Sequence, residues 1–390
     1  MNIKKISTPL LISLIMFPQI IETMYSPALT SIKNHFEIST ENAAQGLSIF
    51  FMAFAFGVVF WGALCDIIGR RRSTLAGLTL FIFSAIFTYF APRFDLFLAG
   101  FGCCAFGAAV GSVCTQTILR DRFEGAELSR LFSIAATSIG ISPVIGMIVG
   151  SWLTAHGGYT WVFAAMITLI TLLLFWTGMQ LPETKPQNIK RDSLFSVANK
   201  MIRDSHIWYI VFMIGLANIA LFSYYNIAPF MFEKLGVSVK FFGYTGFALA
   251  IGSVLGSLIN IKLIRYKLSS DSIVIMAMLL MVISGIGVYL LQHTVWFFIP
   301  MALVSVAFGL TLPNLLSTAL KNYRNHLGTA GALLGLFYYL IIGFGLDFAA
   351  STGNLAMTLL GCGVCCLLLT LAKIISTKLT LLRNKKVLTS

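Results

Sequence analysis

The chain has 390 residues, 58% of them apolar and only 11% charged. A soluble domain carries roughly 25% charged residues, so this composition excludes a water-soluble globular fold. The formal net charge of +13 would point to nucleic acid in a soluble protein, but its placement along the chain gives a different reading.

Apolar segments of 18 or more residues recur from end to end, and each can cross about 30 Å of hydrocarbon as a helix. The expected spans are 8–30, 42–64, 73–91, 95–118, 129–155, 159–181, 207–233, 240–264, 272–291, 295–319, 329–350 and 355–375. The first contains Glu22 and three prolines and lacks a small-residue cleavage site, so it reads as a retained span and not a cleavable signal. With these spans the basic residues separate by side. One side holds Lys4, Lys5, Arg70, Arg71, Arg72, Arg120, Arg122 and Arg130, then Lys185, Lys190, Arg191, Lys200 and Arg203 in the central connection. Lys262, Arg265, Lys267, Lys321 and Arg324 join them, followed by Lys373, Lys378, Arg383, Lys385 and Lys386. Only Lys33, Arg93, Lys234 and Lys240 fall on the other side. Basic loops stay in the cytoplasm, so an even number of spans is expected in a bacterial-type inner membrane, with both termini cytoplasmic.

The polar stretch 182–206 separates an N-terminal half, 1–181, from a C-terminal half, 207–390, that ends in a short basic tail. The expected fold is an all-α polytopic membrane protein with twelve transmembrane helices in two six-helix halves. A constant offset of 202 links Pro27 with Pro229, Phe106-Gly107 with Phe308-Gly309, and Arg122 with Arg324. Two such halves joined by a basic linker are the pattern of parallel-repeat, alternating-access transporters. No GxxxxGK[ST] loop occurs, so ATP drive would need a separate subunit. Cys362, Cys365 and Cys366 share a helix face, but small polarizable residues packing between helices is the preferred reading, for them as for Cys65, Cys103, Cys104 and Cys114. No metal-ligand cluster, nucleophile–base pair or phosphate cradle is present, so no catalysis, cofactor or metal is expected.

The sharpest motif follows span 2: Gly62-Ala-Leu-Cys-Asp66-Ile-Ile-Gly69-Arg70-Arg71-Arg72. Gly62 allows close helix approach and Gly69 a tight turn. Asp66 is an acceptor suited to a helix N-terminus or a nearby arginine, and the arginines suit anionic headgroups. The stretch resembles the GxLxDxxGRR(K/R) signature of the major facilitator superfamily. The resemblance implies a cytoplasmic latch against the start of span 11, with Gly328, Gly331 and Arg120 as its partners.

Further stretches resemble the bicyclomycin- and chloramphenicol-resistance exporters of that superfamily. Met24-Tyr25-Ser26-Pro27-Ala28-Leu29 is similar to their MYLPAL segment, and Gly328–Gly335 to their GTASALLG. Arg120–Phe123 with Ser129–Ser133 is similar to their span 4–5 loop. Pro143–Leu153 is similar to PILAPLLGGWL in span 5, where Pro143, Gly146 and Gly150 are expected to form a hinge. Three positions depart from the pattern. The acid directly before MYLPAL is Thr23 here, with Glu22 one place earlier and about 100° round the helix. The buried arginine of span 4 is Phe101, and the second proline of the span 5 antiporter motif is Met147.

Glu22 is the leading functional residue. Counting from Thr8 puts it ~21 Å into the membrane, just beyond the midplane. A lone carboxylate there costs several kcal/mol, so Glu22 is expected to hold a proton and exchange it with a cavity. The alternative is a carboxyl fixed by a structural hydrogen bond. Asp347 in span 11 is a weaker candidate, a cap or rim residue as readily as a coupling site. The expected cavity lining is Gln19, Tyr25, Gln116, Asn218, Tyr224, Tyr225, Asn226, Asn314, Tyr338 and Tyr339, amides and phenols that suit an amphipathic organic ligand. The preferred reading is proton-coupled efflux of a drug or metabolite by a chain expected to be monomeric in the lipid bilayer, with a small organic substrate and protons as its partners and no nucleic acid. Uptake of a nutrient or metal chelate competes with it. A non-transporting receptor or scaffold is disfavoured because neither Glu22 nor the latch motif serves passive packing, and no ring-forming filter sequence supports a channel.

Overall fold

The computed structural model describes residues 7–186 and 194–389, side chains excepted at 324, 325 and 376–389. Lys4, Lys5, Lys190 and Arg191 therefore lie outside the described residues, as do the side chains of Arg324, Lys378, Arg383, Lys385 and Lys386. Among the described residues eleven continuous helices are long and apolar enough to cross a membrane. The longest, Gly125–Gln180, has 56 residues, which at about 1.5 Å per residue is far more than one crossing needs. Gly157 (φ −148°, ψ 16°) and Gly158 (φ 66°, ψ −159°) break its helical geometry. The positive φ at Gly158 is one that an L side chain rarely adopts, and the next N–H, of Tyr159, is taken by Ser31 Oγ at 3.0 Å. The helix is thus two spans, and the chain crosses twelve times.

In chain order the spans are α1 (Thr8–Phe36), α2 (Thr40–Ile68), α3 (Arg70–Tyr89), α4 (Phe94–Arg122), α5 (125–156) and α6 (159–180). The second set is α7 (Ser205–Lys234), α8 (Val239–Arg265), α9 (Ser270–Leu291), α10 (Val295–Tyr323), α11 (Leu327–Thr352) and α12 (Leu355–Ile375). A short helix, Leu194–Ile202, precedes α7. Helices are the form a chain of this hydropathy must take, because hydrocarbon offers no partner to a backbone N–H or C=O. Most run a few residues past the expected limits. Apolar content stops at the hydrocarbon edge, but side-chain caps carry several helices into the interface: Ser39 Oγ accepts from Asn42 N (3.1 Å), Asp204 Oδ1 from His206 N (2.9 Å) and Ser269 Oγ from Ser272 N (3.2 Å).

Packing repeats between the halves. In the first, α1 packs on the α5–α6 segment, α2 and α3 on α4, and α3 on α5–α6; in the second, α7 packs on α11, α8 and α9 on α10, and α9 on α12. The halves meet along two seams, α2 with α11 and α5 with α8. Small residues set these approaches, since helices in lipid associate by close packing. A β-carbon at Gly57 of α2 would stand 2.7 Å from Phe106 O of α4, and one at Gly256 of α8 2.9 Å from Val306 Cα of α10.

The two ends of the bundle differ. Where α1 and α7 finish, Lys33 Nζ lies 2.6 Å from Glu233 Oε2, and deeper in, Ser26 Oγ donates to the Tyr225 carbonyl. Both links tie one half to the other, so this end is closed. At the basic end, which carries Arg70–Arg72, the halves diverge: a β-carbon at Gly328 would have nothing within 4 Å, and one at Gly331 would touch only Leu320 of its own half.

The Lys33–Glu233 pair is half-exposed, 22% and 35% at the two side chains, and such pairs contribute about 0–1 kcal/mol. That is little for stability, but 1 kcal/mol shifts a two-state equilibrium about fivefold. Lys33→Gln or Glu233→Gln is expected to raise labelling of a cysteine placed at Ser26 by an impermeant thiol reagent up to about fivefold, in a background without native cysteines. The swapped pair, Lys33→Glu with Glu233→Lys, should restore the wild-type rate. Unchanged labelling in both single variants would remove the pair from the closure.

Candidate functional site

Between the halves lies a cavity of about 250 Å³ walled by α1, α2, α5, α7, α8, α10 and α11. Among the described residues no Lys, Arg or His lines it, and Glu22 is its only carboxyl. Glu22 is 6% exposed, and its Oε1 is buried with no hydrogen-bond partner among the described residues. Helix geometry explains why this residue faces the cavity and its neighbour does not, because successive side chains diverge by about 100°. Thr23 turns toward α5: its Oγ1 donates to Gln19 O (2.8 Å) and covers Gly146, where a β-carbon would overlap the hydroxyl. The one-residue displacement of the acid therefore moves it from the α1–α5 contact to a wall shared with Tyr225 and Tyr339 of the other half.

Aromatic rings form a continuous chain along that wall. Tyr225 lies 5.5 Å from Phe222, Phe222 4.8 Å from Phe51, Phe51 6.0 Å from Tyr339, and Tyr339 4.4 Å from Tyr338, centroid to centroid. Phe101, at the place of the arginine expected from the resemblance, is buried and stacks on Tyr25 at 4.1 Å and 19°. Phe50, Phe97 and Phe163 surround it. Where a cation would stand beside the acid, this chain has an apolar aromatic cluster.

Of the residues expected to line the cavity, Gln19, Asn218, Tyr225, Tyr338 and Tyr339 do so, as does Pro143. Asn218 donates Nδ2–H to Ile214 O at 2.7 Å. The others are elsewhere. Tyr25 is in the Phe101 stack, Tyr224 shares a 2.6 Å hydrogen bond with Thr245 Oγ1, and Asn226 is wholly buried. Three consecutive residues of one helix cannot all face one cavity, and of the three at 224–226 it is Tyr225 that does. Asn314 bonds Asn260 Oδ1 across the α8–α10 contact (2.7 Å). Gln116 bonds Ser112 on α4, a helix that contributes nothing to the wall. Asp347 is exposed near the end of α11, away from the cavity. Gly146 and Gly150 hold α5 against α1, with β-carbons there 2.7 Å from Ile20 O and 2.5 Å from Met24 O, and α5 keeps helical geometry through both. They act here as close-approach residues and not as a bend. All seven cysteines are free; Cys362 and Cys366 are buried while Cys365 is exposed, so the three do not share one environment.

The α2–α3 loop is built around Arg70. Gly69 takes φ 102°, ψ 161°, which only glycine adopts readily. A β-carbon there would also overlap the carboxylate of Glu183, whose Oε1 accepts from Arg70 N (2.8 Å) at the start of α3, a helix N-terminus where negative charge is favoured. Arg70 Nε donates to Asp121 Oδ2 (2.7 Å) and one terminal nitrogen to Asp66 Oδ1 (3.0 Å) and Cys65 O (3.1 Å). Arg71 reaches Gly178 O at 2.7 Å. In this form the residues expected to partner the latch stand apart from Arg70. Arg120 points away, over the Phe132 ring at 5.6 Å; Asp121, one residue on and 100° round the helix, is the group that meets Arg70. Gly328 and Gly331 stand clear, and α2 meets α11 further along, where Gly62 faces Ala332 and Gly335 faces Val58. Glu183 was not legible as a partner: it is 113 residues from Arg70, and its only local signal is an acid in a loop directly after a span.

A family model described as Major Facilitator Superfamily matches residues 11–346. The chain belongs to that superfamily. This major facilitator is 31% identical over 358 residues to an uncharacterized transporter of Rickettsia bellii, across 87% of the chain and 88% of that protein. It is 25% identical to a bicyclomycin resistance protein homolog of Haemophilus influenzae, across 82% of each. Its fold matches the crystal structure of a bacterial homolog of the human lysosomal transporter Spinster, with a TM-score of 0.72 at 15% identity over 94% and 95% of the two chains. The facilitator is accordingly a multi-pass membrane transporter and not an enzyme.

In this transporter Arg70 and Asp121 are buried, 4% and 12% exposed, whereas Asp66 is 41% exposed. Removing one member of a buried pair costs about 3–5 kcal/mol, and an exposed contact about 0–1 kcal/mol. Asp121→Ala is therefore expected to lower stability by about 3 kcal/mol, the low end because Asp66 remains. Asp66→Asn should cost under about 1 kcal/mol. Gly62→Leu should slow turnover about tenfold with binding little changed, because its first side-chain carbon already meets Val113 at 3.4 Å and Ala332 at 4.0 Å. Flux and binding measured on one preparation check this, and equal loss of both would place Gly62 in the energetics of the cavity.

Proposed function

We propose that this facilitator is a proton-coupled exporter of a small amphipathic organic molecule, working in a bacterial inner membrane with its basic end in the cytoplasm. The observation that carries the reading is the isolated Glu22 carboxyl in the wall between the halves, with an unpartnered oxygen and no basic residue in the cavity. An uncompensated charge in that setting costs several kcal/mol, so the site favours either a proton or a ligand that replaces it. Either can bias an equilibrium between two bundle shapes, because it interacts differently with a closed and an open cavity. Arg70–Arg72, Arg120, Lys185 and Arg265 gather at the basic end, in keeping with the positive-inside rule. With that orientation the form described is inward-facing, and 182–206 is a cytoplasmic linker between halves 1–181 and 207–390. Similarity to a bicyclomycin resistance protein homolog supports the outward direction.

A second reading, proton-coupled uptake, is favoured by one feature. Phe101 stands where the resemblance implies an arginine, and no cation lines the cavity with Glu22 among the described residues, so a proton can accompany a substrate instead of opposing it.

Glu22→Gln is expected to abolish accumulation against a gradient while leaving insertion and substrate exchange intact. Accumulation equal to wild type with the same pH dependence would falsify the role of Glu22. Direction is decided by flux in right-side-out and inverted vesicles under an imposed pH gradient. Export requires substrate uptake by inverted vesicles with an acidic interior; entry into right-side-out vesicles driven by an acidic exterior would make the protein an importer.

A further inference from the structure

We infer that the substrate is a small organic monocation, a quaternary or protonated amine on an apolar body, which takes the place of the proton on Glu22. The inference rests on the proton-coupled reading above and extends it to the chemistry of the ligand.

Three observations on the cavity carry it. The first is charge. Glu22 is the only carboxyl in the wall, no Lys, Arg or His shares it, and the buried Oε1 has no donor. An anion entering this space would meet either a like charge or a neutral acid with no cation to balance it, and burying an unpaired ion costs several kcal/mol. A neutral ligand would leave Oε1 as it found it and would have no electrostatic means of displacing a proton. A monocation supplies the missing counter-charge; a dication would leave one charge unbalanced in the same wall.

The second is aromatic surface. Phe51, Phe222, Tyr225 and Tyr339 lie along the wall that also holds Glu22, joined ring to ring. A cation over such faces gains about 0.5–2 kcal/mol, the upper value when desolvated, without hydrogen-bond donors of its own. Quaternary ammonium groups are held elsewhere by this combination of rings and a carboxylate. Opposite, Leu249 and Leu312 offer an apolar wall for the body of the ligand. The third is size. At about 250 Å³ the cavity falls below the roughly 300–1,000 Å³ of drug-sized sites, which fits one ring and a short amine better than a polycyclic drug.

The exchange balances. The protonated carboxyl gives its proton to water as the cation arrives, and the carboxylate that remains pairs with the cation; on the return the cation leaves and a proton takes its place. One monocation moves against one proton, so no net charge crosses the membrane, and the flux follows the pH gradient and ignores the potential.

The test uses the full chain in proteoliposomes with an acidic interior and an internal pH-sensitive dye. The probes are benzyltrimethylammonium, which is permanently charged, the neutral amphipath chloramphenicol, and the anion benzenesulfonate. Benzyltrimethylammonium is expected to dissipate the gradient at least about tenfold faster than the other two, about 1.4 kcal/mol of discrimination. That rate should be unchanged when potassium and valinomycin clamp the potential, and it should fall to the protein-free level in Glu22→Gln. Glu22→Asp, which keeps the charge, should recover part of it, a rescue that a packing role for Glu22 would not give. If chloramphenicol drives Glu22-dependent proton movement and benzyltrimethylammonium does not, the cation is wrong while proton coupling stands. If either probe moves protons equally well in Glu22→Gln of wild-type melting temperature, both the substrate class and the coupling role of Glu22 fall.

Discussion

A carboxyl group inside a membrane has to be neutralised by something. In most buried sites a basic side chain or a set of donors does it, and the carboxylate becomes structural. Among the described residues Glu22 has neither: Oε1 is unpartnered and no basic side chain lines the cavity. In the proposed function that unmet demand is what gives an otherwise apolar bundle its binding site. Hydrocarbon makes the demand large, since neither bulk water nor mobile counter-ions screen it.

In the proposed mechanism the rest of the architecture presents that group to two sides in turn. The cavity lies between halves that meet mainly along two seams, α2–α11 and α5–α8, and each seam is the counterpart of the other under the sequence repeat. Glycines and alanines in the seams permit close approach without interlocking side chains, which lets one half rock on the other. Polar contacts then sit at the ends. Lys33–Glu233 and Ser26–Tyr225 join the halves at one end. At the basic end, Arg70, Asp66, Asp121 and Glu183 are bound among themselves, all on the first half and its outgoing loop. That cluster links α2, α3 and α4 with the loop that leaves α6.

Sequence alone determined the class of fold and its repeat. Twelve apolar segments, a basic side and a polar mid-chain break are one-dimensional properties, and hydrocarbon admits only one local solution for them. The Gly62–Arg72 motif and the singular position of Glu22 were legible for the same reason: a tight-turn glycine and an acid in an apolar run are conspicuous without neighbours. Facing was less legible. Gln19, Tyr225, Tyr338 and Tyr339 lie on the cavity and Tyr25, Tyr224 and Asn226 do not, because these spans are apolar on all sides and their pattern does not say which face meets lipid, partner or cavity.

Only the tertiary structure decided the partners. Asp121 holds Arg70, Glu183 closes on α3 from 113 residues away, and Thr23 packs where an acid was expected while Glu22 lines the cavity with residues of the other half. Each outcome turns on a rotation of about 100° between adjacent helix residues combined with the position of a helix distant in sequence. Composition fixes that a helix forms and where it crosses the membrane. Its rotation about its own axis is set by the close contacts it makes with other helices, and those contacts exist only once the bundle has assembled.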